Sequence, residues 1–236
     1  MTRERTLKSP APSPWHLFES GRLTAAENMA WDEALLLAAD QAGPLLRFYA
    51  WTEPAATFGY FQKYADVAAM TPLRPLIRRP TGGGLVPHDA DWTYSLVFPP
   101  HHPWYELRAR QSYEQLHVWI QAAFQSLGTA VELSGGLPKE QPGQCFIGAE
   151  PLDVVQHGRK IAGAAQRRTR HGLLIQGSIQ PPTGVRRTDY EQACLAEANR
   201  RWGVAWRTFE PDAAVRRRAE RLCREKYSQA AYNEKR

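Results

Sequence analysis

Apolar residues from Asn28 to Ala39 fall on one side of a 3.6-residue repeat. Met29 and Leu36 line up with Ala25, and Trp31 and Leu35 lie beside them, which predicts an amphipathic helix packed on a core. Thr24 followed three residues later by Glu27 is a capping box for its start, and Gly43-Pro44 ends it. Strict alternation then predicts a strand over Leu45–Trp51, a second over Ala56–Phe61, and a short helix near Tyr64–Ala69. Strand formers at Leu76-Ile77 and Trp92–Phe98 flank three consecutive glycines, 82 to 84, so the glycines are expected to turn the chain between two strands. Core spacing of Leu116, Trp119, Ile120, Ala123 and Leu127 predicts a helix over Ser112–Leu127 stopped by Gly128, with a short strand at Ala130–Leu133. The stretch Ser134–Gly143 is too rich in glycine and proline for regular structure and reads as a mobile loop. Leu152–Val155 and Lys160–Ala164 read as a hairpin turned at His157-Gly158, and Leu173–Ile179 as one more strand. Beyond Pro181-Pro182 the pattern is helical, with Asp189 capping Tyr190–Arg201 and Asp212 preceding Ala213–Tyr227. The sum is a single α/β (α+β) domain over residues 15–236, a mixed β-sheet flanked by helices, after a polar, proline-bearing lead-in at Met1–Pro14 that is expected to be disordered.

Composition narrows the classes. With 236 residues and 43% hydrophobic content the chain can bury a substantial core without staples. No apolar run approaches a membrane span and the first residues lack a secretory h-region, so a cytoplasmic protein with no membrane partner is expected. Cys145, Cys194 and Cys223 are odd in number and far apart, forming neither a disulfide framework nor a metal-binding pair; no structural metal is expected. A formal charge of +6 favours an acidic partner by electrostatic steering. The Arg216–Arg218 run lies in a helical pattern, with Glu220 and Glu225 four residues after Arg216 and Arg221. It reads as a solvated helix face rather than a nucleic-acid patch.

Three stretches can carry chemistry. Gly82, Gly83 and Gly84 would let backbone N–H groups approach a ligand, with Arg78 and Arg79 before them and His88 and Asp89 after. An unliganded tight turn is the plainer alternative, and the absence of a following Gly-Lys-Ser/Thr excludes a Walker A loop. Cys145 follows a glycine-proline loop, where a thiol can be reached, whereas Cys194 and Cys223 fall in helical patterns and read as structural or inert. Lys160 precedes the small residues Ala162, Gly163, Ala164 and Ala165, which would leave room for a ligand chain beneath a cation. Taken alone, a lysine in such a strand is more often snorkelling to water.

The two motifs Arg-Arg-x-x-Gly-Gly-Gly-x-Val-x-His-Asp (Arg78 to Asp89) and Gly-Arg-Lys-Ile-x-Gly-x-Ala-Gln (Gly158 to Gln166) resemble those of the biotin/lipoate protein ligase superfamily, in the same order. Cys145-Phe146 ahead of the Gly-Arg-Lys motif is similar to the octanoyltransferase subgroup, and Leu152-Asp153 departs from the Asn-Asp usual in the ligases. The resemblance implies a transferase that takes octanoate from an acyl carrier protein onto Cys145 and passes it to a lysine of a lipoyl-domain protein. Lys160 would activate the thiol and hold the oxyanion. Arg78, Gly82, Gly83, Gly84, His88, Gly163, Ala164 and Ala165 would wall the acyl site. No cofactor and a monomeric state are expected. The competing implication is a lipoate ligase that uses ATP and Mg, and a third is a non-catalytic lipoyl- or biotin-binding relative.

Overall fold

The computed structural model describes residues 13–136, 143, 146 and 148–235. It opens on strand β1 (Ser13–Leu23), followed by helices α1 (Ala25–Leu37) and α2 (Ala39–Ala42), then β2 (Leu45–Trp51), β3 (Ala55–Phe58), α3 (Tyr64–Met70), β4 (Leu76–Arg78), β5 (Val86–His88) and β6 (Trp92–Phe98). It continues with α4 (Pro103–Glu106), α5 (Ala109–Ser126), β7 (Glu132–Leu133), β8 (Val154–Gln156), β9 (Arg159–Thr169), β10 (Gly172–Ile179) and α6 (Arg187–Trp202). Strand β11 (Val204–Thr208), α7 (Ala213–Leu222), a π-turn at Cys223–Tyr227 and α8 (Ala230–Asn233) complete it. Among the described residues an eight-stranded mixed sheet runs β11-β1-β2-β6-β10-β9-β8-β7, and a three-stranded sheet runs β4-β3-β5. The mixed α/β architecture expected from the sequence is the one observed.

Period-two alternation decides which face of the large sheet holds what. Leu46 and Phe48 of β2, Tyr94, Leu96 and Phe98 of β6, and Leu173, Ile175 and Ile179 of β10 join the core under α5 and α6. The intervening positions face α1 and are largely polar: Arg47, Thr93, Ser95, Gln176 and Ser178 are all buried. Buried polar groups must find partners, and here they find one another. The Arg47 guanidinium donates to Asp32 Oδ1 at 2.7 Å, to Asn28 Oδ1 at 2.7 Å and to Ser20 Oγ at 2.8 Å. Ser95 donates to Asp32 Oδ1 at 2.7 Å, and Gln176 Nε2 donates to Asp32 Oδ2 at 2.7 Å. Helix α1 is thus bolted to β2, β6 and β10 by side chains that a hydrophobic repeat does not reveal.

Several expectations change. Ser13 and Pro14 are not part of a lead-in: they start β1, parallel to Val204 and Ala205 of β11, and neither strand was anticipated. Nor do the glycines turn a tight hairpin. Strands β4 and β5 do not pair with each other; both flank β3, one parallel and one antiparallel, so the glycine bend crosses over the end of β3. Non-local pairing with β3 has won over the local turn. The α6 helix begins three residues earlier than a helix capped by Asp189 would, with Arg186 at the cap and Asp189 in the first turn. The capping boxes and turns elsewhere follow the sequence. Thr24 and Glu27 exchange both cap bonds, Asp212 caps α7, and β8 and β9 form the hairpin at His157-Gly158. Of the expected mobile loop, residues 137–142 lie outside the described residues.

Asp32→Ala leaves the Arg47 cation buried and unpaired, and is expected to lower unfolding free energy by about 3–5 kcal/mol. A urea titration measures it, and a loss below about 1 kcal/mol would show that the pair does not hold α1 to the sheet.

Candidate active site

A cavity of about 60 Å³, partly open to solvent, lies between α1, the glycine bend and the β9–β10 end of the large sheet. Its wall is made of small residues where β9 and β10 pair: Gly163 opposite Ser178, Ala164 opposite Gly177 and Ala165 opposite Gln176. Met29, Tyr49 and Val86 supply apolar surface, and Lys160, Arg79, Thr57 and His88 supply polar groups. Small side chains at three successive β9 positions make the space; large ones there would fill it.

Lys160 projects into this cavity and is held there. Its Nζ lies 2.7 Å from Asp153 Oδ2, in a pair whose side chains are 7% and 0% exposed. Asp153 also accepts from the Glu150 amide at 2.7 Å and from the Tyr113 hydroxyl on α5. The Tyr113 hydroxyl is pushed well above its usual range by burial first and by the Asp153 charge second, so it stays a donor. His117, one turn further along α5, is held neutral, its pKa lowered to about 3 by burial first and by the Lys160 charge second. The turn that presents Asp153 is strained: Leu152 stands at φ 75°, a left-handed conformation that L-residues other than Asn, Asp and Gly adopt reluctantly. The Gly163 position has a further purpose. A Cβ there would lie 2.5 Å from Lys160 Cε and 2.6 Å from Nζ, so the absent methyl is what lets the ammonium settle against Asp153.

The Arg79 side chain organises the glycine bend. The Arg79 guanidinium donates to Gly82 O at 2.6 Å, to Gly84 O at 2.7 Å and to Thr57 O at 3.2 Å. Gly59 at the end of β3 is required by the same bend, since a Cβ there would sit 1.9 Å from Gly83 O. Thr81 donates to Gln176 Oε1 at 2.7 Å and ties the bend to the Asp32 cluster.

Of the residues singled out in the sequence, Lys160, Gly83, His88, Gly163, Ala164 and Ala165 line the cavity. Arg78, Gly82 and Gly84 do not belong to its wall. Arg78 is fully buried on the far side of β4 and donates to the carbonyls of Tyr60, Gln62 and Asn233, which makes it an anchor for α8. Gly82 and Gly84 present their carbonyls to Arg79 instead. His88 is paired with Asp91 at 2.8 Å, and its chain neighbour Asp89 is exposed. Cys145 lies outside the described residues. Its chain neighbour Phe146 lines the cavity, with its ring centroid 5.4 Å from Lys160 Nζ. Sequence reasoning missed Arg79's clamp, Asp153, Tyr113, Asp91, Thr57 and Ser178. Only Asp153 carried a local signal, as the acid beside a Lys-bearing hairpin; the others come from distant segments. Among the described residues no cluster of three or more His, Cys, Asp or Glu could hold a metal ion, and no helix is long and apolar enough to cross a membrane.

Comparison with known proteins adds a family. The lipoyl protein ligase A/B catalytic domain matches residues 24–183. An octanoyltransferase LipM of Moorella thermoacetica is 35% identical over 175 residues, covering 70% of this chain and 64% of that protein. The chain thus spans somewhat under two thirds of the length of that curated relative. Among solved structures, a T. acidophilum protein with bound lipoic acid superposes with a TM-score of 0.75 at 19% identity, covering 96% of this chain and all of that one. A lipoate-protein ligase A bound with ATP gives 0.73 at 20% identity over 95% of this chain and 99% of that one. These superpositions establish likeness of fold.

The other two cysteines differ in environment. Burial pushes the Cys194 thiol up to about 12, while Cys223 is partly exposed. Below that pKa Cys194 stays protonated and unreactive. Iodoacetamide at pH 8, followed by peptide mapping, is expected to label Cys223 and leave Cys194 unmodified; labelling of Cys194 in the folded protein would contradict the buried assignment.

Proposed function

The chain belongs to the lipoyl protein ligase A/B catalytic domain family, and on that footing we propose that it moves an octanoyl group from an acyl carrier protein to a lysine of a lipoyl domain through a thioester on Cys145. The observation that carries the reading is the cavity walled by Gly163, Ala164 and Ala165, which ends at a buried, oriented Lys160 ammonium beside Phe146, the residue that follows Cys145.

In the first half of the proposed reaction the Cys145 thiolate attacks the carbonyl carbon of the donor thioester. A new C–S bond forms, the electron pair of the old one leaves on the carrier's sulfur, and Lys160 donates to the oxygen that becomes anionic in between. Asp153 accepts a hydrogen bond from one of the three ammonium N–H groups and fixes the direction of the rest. A lysine ammonium so placed also favours the thiolate over the thiol. The small-residue wall takes the apolar acyl chain, which gains about 0.8 kcal/mol for each methylene it buries. In the second half, the acceptor lysine displaces Cys145. Splitting the transfer allows each bulky carrier to dock in turn. The net charge of +6 steers acidic carriers toward the site. The reaction as proposed draws on no cofactor.

Mixed with octanoyl-carrier protein without ATP, the protein is expected to gain one octanoyl mass, and Cys145→Ser to gain none. Full activity in that variant with strict dependence on ATP would overturn the transferase in favour of an adenylating ligase. Lys160→Ala is expected to slow adduct formation by about 10²- to 10³-fold, the usual cost of losing an oxyanion donor.

Gly163→Ala tests the seating of the lysine. The displaced atoms are the flexible end of Lys160, so the unfolding midpoint is expected to stay within a few degrees of the parent while adduct formation drops at least about tenfold. A variant with parent-like rates would show that the close approach of Gly163 to the ammonium is incidental.

A further inference from the structure

The second half of the proposed reaction poses a problem that Lys160 does not solve. The acceptor lysine arrives as an ammonium and must lose a proton before it can attack. The cavity holds a second polar device, on the side of β3 and β5. His88 is buried, stacked face to face on Trp51 with ring centroids 3.8 Å apart, and both of its nitrogens are engaged. Nδ1 lies 2.8 Å from Asp91 Oδ2, and Nε2 lies 2.8 Å from the Thr57 hydroxyl. Asp91 Oδ2 also receives the hydroxyls of Ser178 at 2.6 Å and Thr93 at 3.2 Å. An acceptor of that kind orients the ring with Nδ1 as donor, which leaves Nε2 of the neutral imidazole as the acceptor for Thr57. Thr57 lines the cavity. Hydroxyl, imidazole and carboxylate therefore stand in series, in the order and at the spacings of a nucleophile–base–orienter array.

Two further features fit proton transfer better than scaffolding. Asp91 Oδ1 is buried and has no hydrogen-bond partner among the described residues, an acceptor held in reserve beside the ring. His88 and Asp91 also line a second, outward-facing groove with Arg22, Glu53, Asp89 and Arg187, so the ring stands between the cavity and that groove. The charges facing it are Asp91, Arg79 and Lys160 on the cavity side and those four residues on the outer side.

We propose that Thr57, His88 and Asp91 form a proton relay that deprotonates the incoming acceptor amine, with Thr57 and His88 as further catalytic residues and Asp91 as the positioning residue. The proposal rests on the transferase reading. The ammonium gives one proton to Thr57 Oγ as the Thr57 hydroxyl passes its own to His88 Nε2, and the imidazolium forms against the Asp91 carboxylate. The freed amine attacks the thioester carbon and the C–N bond forms. The C–S bond breaks with its electron pair going to Cys145 sulfur, which takes the second amine proton. One proton stays on nitrogen in the amide, and the imidazolium later releases its own through the outer groove.

The test starts from preformed octanoyl-enzyme and compares two nucleophiles: a lipoyl domain, whose lysine needs deprotonation, and hydroxylamine, which is already neutral at pH 7. His88→Gln is expected to slow transfer to the lipoyl domain by about 100-fold, the usual contribution of general-base catalysis, and transfer to hydroxylamine by less than about threefold. The lipoyl-domain rate of the variant should also lose the pH dependence contributed by the imidazole. Thr57→Val, which keeps the side-chain shape, should reproduce the split, and Thr57→Ser should restore the parent rate. Equal slowing of both nucleophiles, or an unchanged pH profile, would overturn the relay and leave the array a structural support. Failure of the parent protein to form any octanoyl adduct would overturn the transferase reading and the relay together.

Discussion

A charged pair in the dry interior, Asp32 on α1 and Arg47 on β2, sets the geometry on which everything else is built. Two ions removed from water are tolerated only where hydrogen bonds satisfy nearly every donor and acceptor around them. That requirement recruits Ser20, Asn28, Tyr49, Ser95 and Gln176, from four strands and a helix. Each recruited group gives up freedom, so the α1 face of the sheet becomes a rigid floor. Gln176 faces both ways, donating to Asp32 and accepting from Thr81, and so carries the rigidity of the floor into the glycine bend. The cavity lies between those two supports.

The same physical rule appears a second time with a different outcome. Lys160 and Asp153 are also a buried pair, yet Lys160 opens on the cavity where Arg47 is enclosed on all sides. An ammonium has three mobile donors on a flexible stem, and a guanidinium five in a rigid fork. The fork suits a fixed joint that must satisfy many oxygens at once. The ammonium suits a site where one proton is given to a fixed carboxylate and others to atoms that come and go. Close backbone approach makes this possible: with no Cβ at 163 the lysine can lie flat against its strand, and with none at 59 the glycine bend can close over β3. Glycine is used here to bring polar groups together, and flexibility is secondary.

His88 shows how a polar array can be tied to both roles. Its ring is locked by Trp51, Asp91 and Thr57, which places it as firmly as any core residue. Unlike Arg47, which is enclosed, it sits on a partition between cavity and surface groove. Rigid placement next to a route for protons is the combination that general-base chemistry requires.

The amino-acid sequence by itself determined the elements whose signals are local. The Thr24–Glu27 cap and the helix α1 it starts, the amphipathic α5 helix, the hairpin at His157-Gly158 and the small residues after Lys160 all follow from period, capping and turn chemistry within a few residues, although α1 proves to have no exposed face. It also carried the family's two motifs, and with them half of the cavity wall. What only the tertiary structure decided is which polar residue meets which. Arg78 and Arg79 are adjacent and alike in sequence, yet one, at the end of β4, anchors α8 and the other, just past it, clamps the glycine carbonyls. His88 could have paired with Asp89 beside it, but takes Asp91 because the chain turns after β5. Strands β1 and β11 acquire their meaning only as neighbours nearly 200 residues apart. Hydrophobic burial is non-directional and leaves a periodic trace along the chain, whereas a hydrogen bond or an ion pair between distant segments depends on directions that exist only once the sheet has formed.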